Sequence, residues 1–398
     1  MKRTVIVILA CLVLLVGVGI GAHQWVTHPR GLPEAVEFAE ADLGESITSA
    51  RVIGLGEATH GNAEFQQLRL ELVHKLDDVG VILLEEDFGR LARIDDWVTG
   101  GEGEVHQITR EFGFVLNHTQ EMADFLEGIR EINQHRPPER QIHLVGMDVQ
   151  RVDASKEIAL SWLADHDPQA AAELEDQLSG WDDDHDIDPT TLTPPVEELV
   201  AAIESGPADE GQRRAGDAAH ALQQHLALEQ SSNRSATRAE IMASNLIRTV
   251  DAIPQDQQAL VFAHNGHLDK SAAAYGGSDL GSALAEHYGD SYRVIGTEFV
   301  HNDLISGQQQ KRWSVGWTHR TPLRGMYEGT EQGYLEFASA SEQNREVLAR
   351  QVRMGSAGEG FQQWQAWVPW FNSVAMVPLD SYDALVLVSD AAPVRPLR

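Results

Sequence analysis

The chain has 398 residues, of which 42% are hydrophobic and 23% charged, and 61 acidic side chains against 30 basic ones give a formal net charge of −31. That length suits one large body with a substantial core, and a field of that sign repels phosphate backbones, which argues against nucleic-acid binding. The single cysteine, Cys11, lies in the amino-terminal apolar run, so the body has no thiol for a disulfide, a nucleophile or a metal site.

Lys2 and Arg3 precede an apolar run from Val5 to Ile20, followed by Gly21 and Ala22. A charged start followed by such a run is an export signal, long enough for a signal anchor and with small residues that permit cleavage. Residues 1–22 are therefore expected to be a signal anchor or signal peptide, 23–50 a linker and first helix, and 51–398 the working domain. The protein is expected to be extracytoplasmic, either released or held to the membrane through an uncut amino-terminal helix.

Val52-Ile53-Gly54-Leu55-Gly56 is a short apolar run bounded by turn signals and reads as a buried strand. Glu57 and His60 follow it. Apolar residues at helical spacing then run from Asn62 towards Val79, where Gly80 is expected to stop the helix. Val81 to Leu84 is a second strand, ending in Glu85-Glu86-Asp87, of which Glu86 and Asp87 read as solvated turn residues. Helices are expected over Phe88–Val98 and Thr119–Gln134, and a third strand over Ile142–Gly146, ending near Asp148. From Asp153 to about Asp251 the pattern is helical throughout, interrupted near Trp181–Asp186 and at Pro194-Pro195, and reads as an inserted helical lobe. The acidic stretch from Trp181 lacks the spacing of a calcium loop and reads as solvated. Ala259–Ala263, ending in His264 and His267, and Tyr292–Gly296 are further strands. Val374–Val377 and Ala384–Val388 are late strands expected to close an edge. The aromatic cluster of Phe361, Trp364, Trp367, Trp370 and Phe371 is expected to pack in the core. His143 reads as packed or outward-facing, and His118, His301 and His319 have no supporting context.

Continuous apolar strands separated by helices indicate an α/β fold, with a mostly parallel central sheet flanked by helices and the helical lobe over the carboxyl ends of the strands. Four strands then deliver ionisable residues to one edge: Glu57 and His60, Glu85, Asp148, and His264 with His267. Ligands bind at that edge in open α/β sheets. A histidine near neutrality can take a proton from water, a carboxylate beside it fixes its tautomer, and a second histidine or Arg69 can stabilise an oxyanion. No Gly-x-Ser-x-Gly elbow is present. The same residue types could instead hold a divalent cation, and a catalytically silent binding protein would carry the same fold.

Gly54-Leu55-Gly56-Glu57-Ala58-Thr59-His60-Gly61, followed by Glu64, Phe65 and Arg69, resembles the opening motif of the erythromycin esterase family. Leu84-Glu85, Gly146-Met147-Asp148-Val149-Gln150 and Ala263-His264-Asn265-Gly266-His267 resemble its later strand ends. Arg238 to Asn245 resembles its lobe helix, with Ala239 where an Asp is usual, and the carboxyl-terminal segment resembles its last strand and tail. The resemblance implies hydrolysis of an ester or lactone by water without an obligatory metal or any cofactor, with a small-molecule ester or lactone as substrate. It implies His60 as general base positioned by Glu57, with Arg69, Glu85 and His264 completing the catalytic group. His267, Glu64, Asp148 and Arg238 are the expected substrate-binding residues. Neither the substrate nor the oligomeric state follows from it.

Overall fold

The computed structural model describes residues 31–184, 188–273, 279–307, 310–316, 321–358 and 360–398. The amino-terminal apolar run, His185 and Asp186 of the acidic stretch, and His319 lie outside these. No helix among the described residues is long and apolar enough to cross a membrane.

The chain enters through a short strand, β1 (Val36–Glu37), and reaches β2 (Val52–Glu57), whose six residues are all buried. Helix α1 (Ala63–His74) follows and leads to β3 (Val79–Asp87) and then α2 (Phe88–Val98). The helix therefore stops six residues before Gly80, and Val79 and Gly80 already belong to the strand. The helix ends in a tighter turn, in which the Lys75 and Leu76 amides donate to the Leu72 and Val73 carbonyls, and Gly80 sits in the strand where an added Cβ would meet the Gln257 side chain. Helix α3 (Gln120–Gln134), capped by the Thr119 hydroxyl, precedes β4 (His143–Asp148).

Five helices come next: α4 (Asp153–His166), α5 (Pro168–Gln177), α6 (Pro189–Glu204), α7 (Glu210–Gln230) and α8 (Arg234–Ala252). Pro194 and Pro195 do not break α6. They lie past its first turn and each removes one backbone donor, a cost offset by Leu192, Val196, Leu199 and Ile203, which bury its apolar side. Leu163, Leu174, Trp181, Val196, Leu199 and Leu222 belong to a core of their own under these helices. The segment after Trp181 is not simply solvated. Asp183 pairs with Arg90 at 2.8 Å and accepts from the Val152 and Asp153 amides at the start of α4.

Strand β5 (Gln258–His264), helix α9 (Leu280–Tyr288) and the long β6 (Tyr292–Ser306) return the chain to the sheet. Strands β7 (Lys311–Val315) and β8 (Gln332–Glu336) follow, then β9 (Val352–Gly355), β10 (Ser373–Met376) and β11 (Ala384–Ala391). The main sheet runs β1-β8-β11-β6-β2-β5-β3-β4, with β7 paired to β6. From β11 to β4 every pairing is parallel, while β8, β1 and β7 are antiparallel additions. The last strand is thus interior to the sheet, because β8 covers its outer side. Val374 to Met376 lie in a separate two-stranded ribbon with β9.

Alternate residues of the strands face opposite cores. Ile53, Leu55, Ile82, Leu84, Leu260 and Phe262 pack with α1, α2 and α3, while Val52, Val81, Leu83, Val261 and Val294 pack with α8 and α9. Covered on both faces, the sheet leaves the carboxyl ends of its parallel strands as the place where polar side chains can gather.

Candidate active site

Glu57 ends β2 and Glu85 stands near the end of β3, while Asp148 ends β4 and His264 ends β5. Parallel pairing of these strands brings all four to one edge, with Glu57 directly opposite His264 in register. A cleft of about 430 Å³ opens there, lined among others by Glu57, His60, Arg69, Glu85, Arg238, His264, His267 and Ser356.

His60 is held on the turn after β2 by its neighbours rather than by a helix. Gly61 has φ +89, and an added Cβ would collide with the Ile305 carbonyl. That is a left-handed conformation in a space only glycine fills. The Asn62 amide donates to Asn302 Oδ1, the Asp303 carbonyl and the Ala392 carbonyl at 2.8, 2.9 and 3.1 Å, and Asn302 donates to the Thr59 hydroxyl at 2.8 Å. The turn is thereby tied to the end of β6 and to the carboxyl-terminal tail. On its other side the His60 amide donates to the Ala357 carbonyl.

Within the turn, His60 Nδ1 is bonded to Glu57 Oε1, and Arg69 from α1 donates to Glu57 Oε2 at 3.0 Å. Burial would raise the Glu57 carboxyl, but the charges of Arg69 and His60 outweigh it and bring the pKa down to about 2. Burial would lower His60, but the Glu57 charge and hydrogen bond, with Glu85 behind them, raise it to about 9. The side chain is 26% exposed, and with Nδ1 engaged its Nε2 is the nitrogen left for a molecule in the cleft.

The His264 ring centre stands 5.1 Å from that of His60. Its Nδ1 accepts from the Gly266 amide at 3.2 Å, so the neutral ring carries its proton on Nε2, 3.4 Å from the Ser356 hydroxyl. Burial, reinforced by the charges of His60 and His267, lowers this histidine to about 3 and keeps it neutral. Gly56 lets the two strand ends approach: an added Cβ would stand 2.1 Å from Asn265 Oδ1. Asn265 in turn exchanges hydrogen bonds with the Thr297 backbone at 2.7 and 3.1 Å.

Glu85 joins the remaining parts. It accepts from the His264 amide at 3.1 Å and from Arg238 at 2.8 Å, and it lies 3.2 Å from His267 Nε2. Burial opposes its charge, but His267, Arg238 and His60 together hold it well below the usual carboxylate range. Arg238 reaches down from α8 and is also bonded to Asp148 at 2.6 and 3.0 Å. These two carboxylates outweigh the effect of burial and raise the guanidinium further, so it is always charged. Among the described residues no group of three or more His, Cys, Asp or Glu side chains is arranged to hold a metal ion.

Most of the residues singled out in the sequence meet here, with two differences in the expected substrate-binding set. Glu64 is absent from the cleft lining and accepts from the Ala392 amide at 2.7 Å, because its place on the first turn of α1 points it at the carboxyl-terminal tail. Asp148 is fully buried behind Arg238 and does not line the cleft. Glu86 and Asp87 are also buried, not solvated. Glu86 accepts from the Gly113 amide at 3.0 Å and Asp87 from the Arg151 amide at 2.7 Å, and burial raises both, Glu86 to about 7. They hold the loops carrying Phe114 and Gln150, which line the cleft. His143 faces outward to Asp95, while His118 is bonded to the Phe112 carbonyl. Leu84, Phe114, Leu116 and Phe262 supply an apolar wall, and Asn117, Gln150 and Ser356 polar points. Of these wall and rim residues, the sequence singled out Leu84 and Phe262 as strand residues and Gln150 as part of a motif. Phe114 and Ser356 sit on loops, and Leu116 and Asn117 on a single 3-10 turn, with no periodicity to mark them.

Three solved structures share this architecture over nearly its whole length. A Bacillus cereus protein superposes with a TM-score of 0.74 at 18% identity, over 94% of this chain and 98% of its own. A succinoglycan biosynthesis protein gives 0.75 at 16% identity, over 93% and 96%. A mutant of the erythromycin esterase EreC in its open conformation gives 0.66 at 17% identity, over 91% and 98%. At such identities these likenesses show the fold alone. The family model for erythromycin esterase matches residues 77–391, a stretch that begins after Glu57, His60 and Arg69 and takes in Glu85, Asp148, Arg238, His264 and His267. That match supports a hydrolase with a small-molecule substrate. With well over half of its length matched, the chain belongs to the erythromycin esterase family.

Proposed function

We propose that the protein hydrolyses a carboxylic ester or lactone by direct attack of water, with His60 as the general base. The observation that carries this reading is the Arg69–Glu57–His60 relay at the cleft, which holds the imidazole by Nδ1 and leaves Nε2 for a water. Neutral His60 takes a proton from the water as its oxygen bonds to the carbonyl carbon, and Glu57 supports the imidazolium that forms. The carbonyl oxygen becomes an oxyanion, for which the Nε2–H of neutral His264 is a suitable donor. Collapse breaks the bond to the leaving oxygen, which takes the proton back from His60. The apolar wall of Leu84, Phe114, Leu116 and Phe262 favours a neutral, partly hydrophobic substrate over a charged one. Glu85, Arg238 and Asp148 form a satisfied ionic ladder that keeps His267 and His264 in place. We place the activity outside the cytoplasm, with residues 1–22 as anchor or export signal and the helices of about 153–251 as a lobe over the cleft.

The test is hydrolysis of a panel of activated esters and lactones by the wild type and His60→Ala, with and without chelation, alongside elemental analysis. Loss of about 10²–10⁴-fold in kcat/KM is expected for His60→Ala, with no response to chelation. Undiminished turnover in the variant removes His60 from the mechanism. A stoichiometric metal whose removal abolishes turnover replaces this reading with a metal-dependent hydrolase, and no turnover on any substrate leaves a binding protein.

A further inference from the structure

Trp364, Trp367, Trp370 and Phe371 are 52, 61, 74 and 52% exposed. They fall within eight consecutive positions, against the expectation that this cluster packs inside; of the five aromatic residues only Phe361 does. Trp364 and Phe371 stack edge to face, with ring centres 5.0 Å apart, and the Arg353 guanidinium lies 5.8 Å from the Trp370 ring. The Gln363 side chain is bonded to Ser314 of β7, the strand that begins with exposed Lys311 and Arg312. Indole rings beside basic side chains suit the boundary between lipid headgroups and acyl chains.

We propose that this aromatic face is a contact with a lipid bilayer, and that it brings a membrane-partitioned ester or lactone to the cleft. The segment that carries it starts at Ser356 and Gly358, both of which line the cleft, so the face and the cleft are joined by one stretch of chain. The sequence before Gly31 supplies a reason for a membrane to be near. The ten residues 21–30 separate the apolar run ending at Ile20 from the described chain, a reach of at most about 35 Å. A second copy of this chain fits the face less well. Four half-exposed aromatic side chains offer roughly 500 Å², short of the ~800 Å² per partner of a stable interface. Two chains of net charge −31 also repel each other.

The delivery half of the proposal rests on the hydrolase reading; the contact does not. The full-length chain, carrying Trp25→Phe, is reconstituted with phosphatidylcholine vesicles brominated on the acyl chains, and its tryptophan fluorescence is read. Trp364→Ser, Trp367→Ser and Trp370→Ser are then combined in the same background. Quenching is expected to fall at least about threefold in the combined variant. Its KM for a long-chain ester carried in vesicles is expected to rise about tenfold, with kcat/KM for a short soluble ester unchanged. Equal quenching in the two proteins overturns the contact. A wild-type dimer that the variant abolishes, without lipid quenching in either, assigns the face to a second copy and overturns it as well. An unchanged KM on vesicles overturns delivery. Lipid quenching without turnover of either ester sinks the hydrolase reading and leaves the contact standing.

Discussion

Gly56→Ala separates the geometry of the strand ends from the chemistry they carry. The added methyl would stand 2.1 Å from Asn265 Oδ1 and 3.1 Å from its Cα, against 3.4 Å for ordinary contact. Asn265 must therefore retreat by about 1 Å. That strains both of its hydrogen bonds to Thr297. Overpacking of this kind costs about 1–3 kcal/mol and each weakened bond about 1 kcal/mol, giving roughly 2–4 kcal/mol in all. His264 is the preceding residue and moves with Asn265, away from its register opposite Glu57. A displacement of about 1 Å at a reacting group costs on the order of 10²-fold in rate. Urea unfolding and kcat/KM on a soluble ester measure the two effects separately. A variant destabilised by the expected amount but with kcat/KM within about threefold of wild type would refute the link between this packing and the placement of His264.

Other outcomes follow from the same contacts. Arg69→Gln leaves Glu57 buried with His60 alone, and a broken buried pair costs about 3–5 kcal/mol in thermal or urea unfolding. Because the Arg69 charge lowers His60, its loss also moves the pH–rate profile to higher pH. Glu64→Gln keeps kcat/KM within about twofold of wild type, since the side chain holds the tail rather than the cleft. Thermal stability is expected to be highest between about pH 4.5 and 6.5, because the raised carboxyls of buried Glu86 and Asp87 cost stability as pH climbs past 4.5 and oppose the gain from His264. Glu57, depressed from 4.5 to about 2, contributes stability that is present above pH 4.5 and lost as pH falls through 2. His264, depressed from 6.5 to about 3, costs nothing above pH 6.5 and is increasingly costly as pH falls towards 3. His60, raised from 6.5 to about 9, contributes below pH 6.5 and loses that contribution as pH rises through 9. Melting temperatures from pH 4 to pH 10 show whether stability declines on both sides.

The parallel strands that build the site were legible because each is a continuous apolar run, and such runs are what a doubly covered sheet requires. The positions of Glu57, Glu85, Asp148 and His264 followed from that pattern alone. The interior place of β11 did not, because it depends on β8, whose sequence Gln-Gly-Tyr-Leu-Glu is short and half polar. Glu86 and Asp87 were misread because charged residues after a strand are usually solvated. Here β3 continues past its apolar run, and Gly146 admits the Asp87 backbone against β4, where an added Cβ would clash. The aromatic cluster was misread for the opposite reason: large apolar residues are usually inside, and only the path of the 356–371 segment places them outside. Ser356 and Phe114 reach the cleft through loops, whose course depends on tertiary contacts rather than on local pattern.

The pH dependence of kcat/KM for a soluble ester tests most directly whether His60 acts as the base that delivers water. With its pKa raised to about 9, the neutral form grows tenfold per pH unit below that value. The account predicts a rise of slope one that levels off near pH 9 and is absent from the residual activity of His60→Ala. A wild-type profile that is flat from pH 6 to pH 10, or an identical rise in the variant, would contradict it.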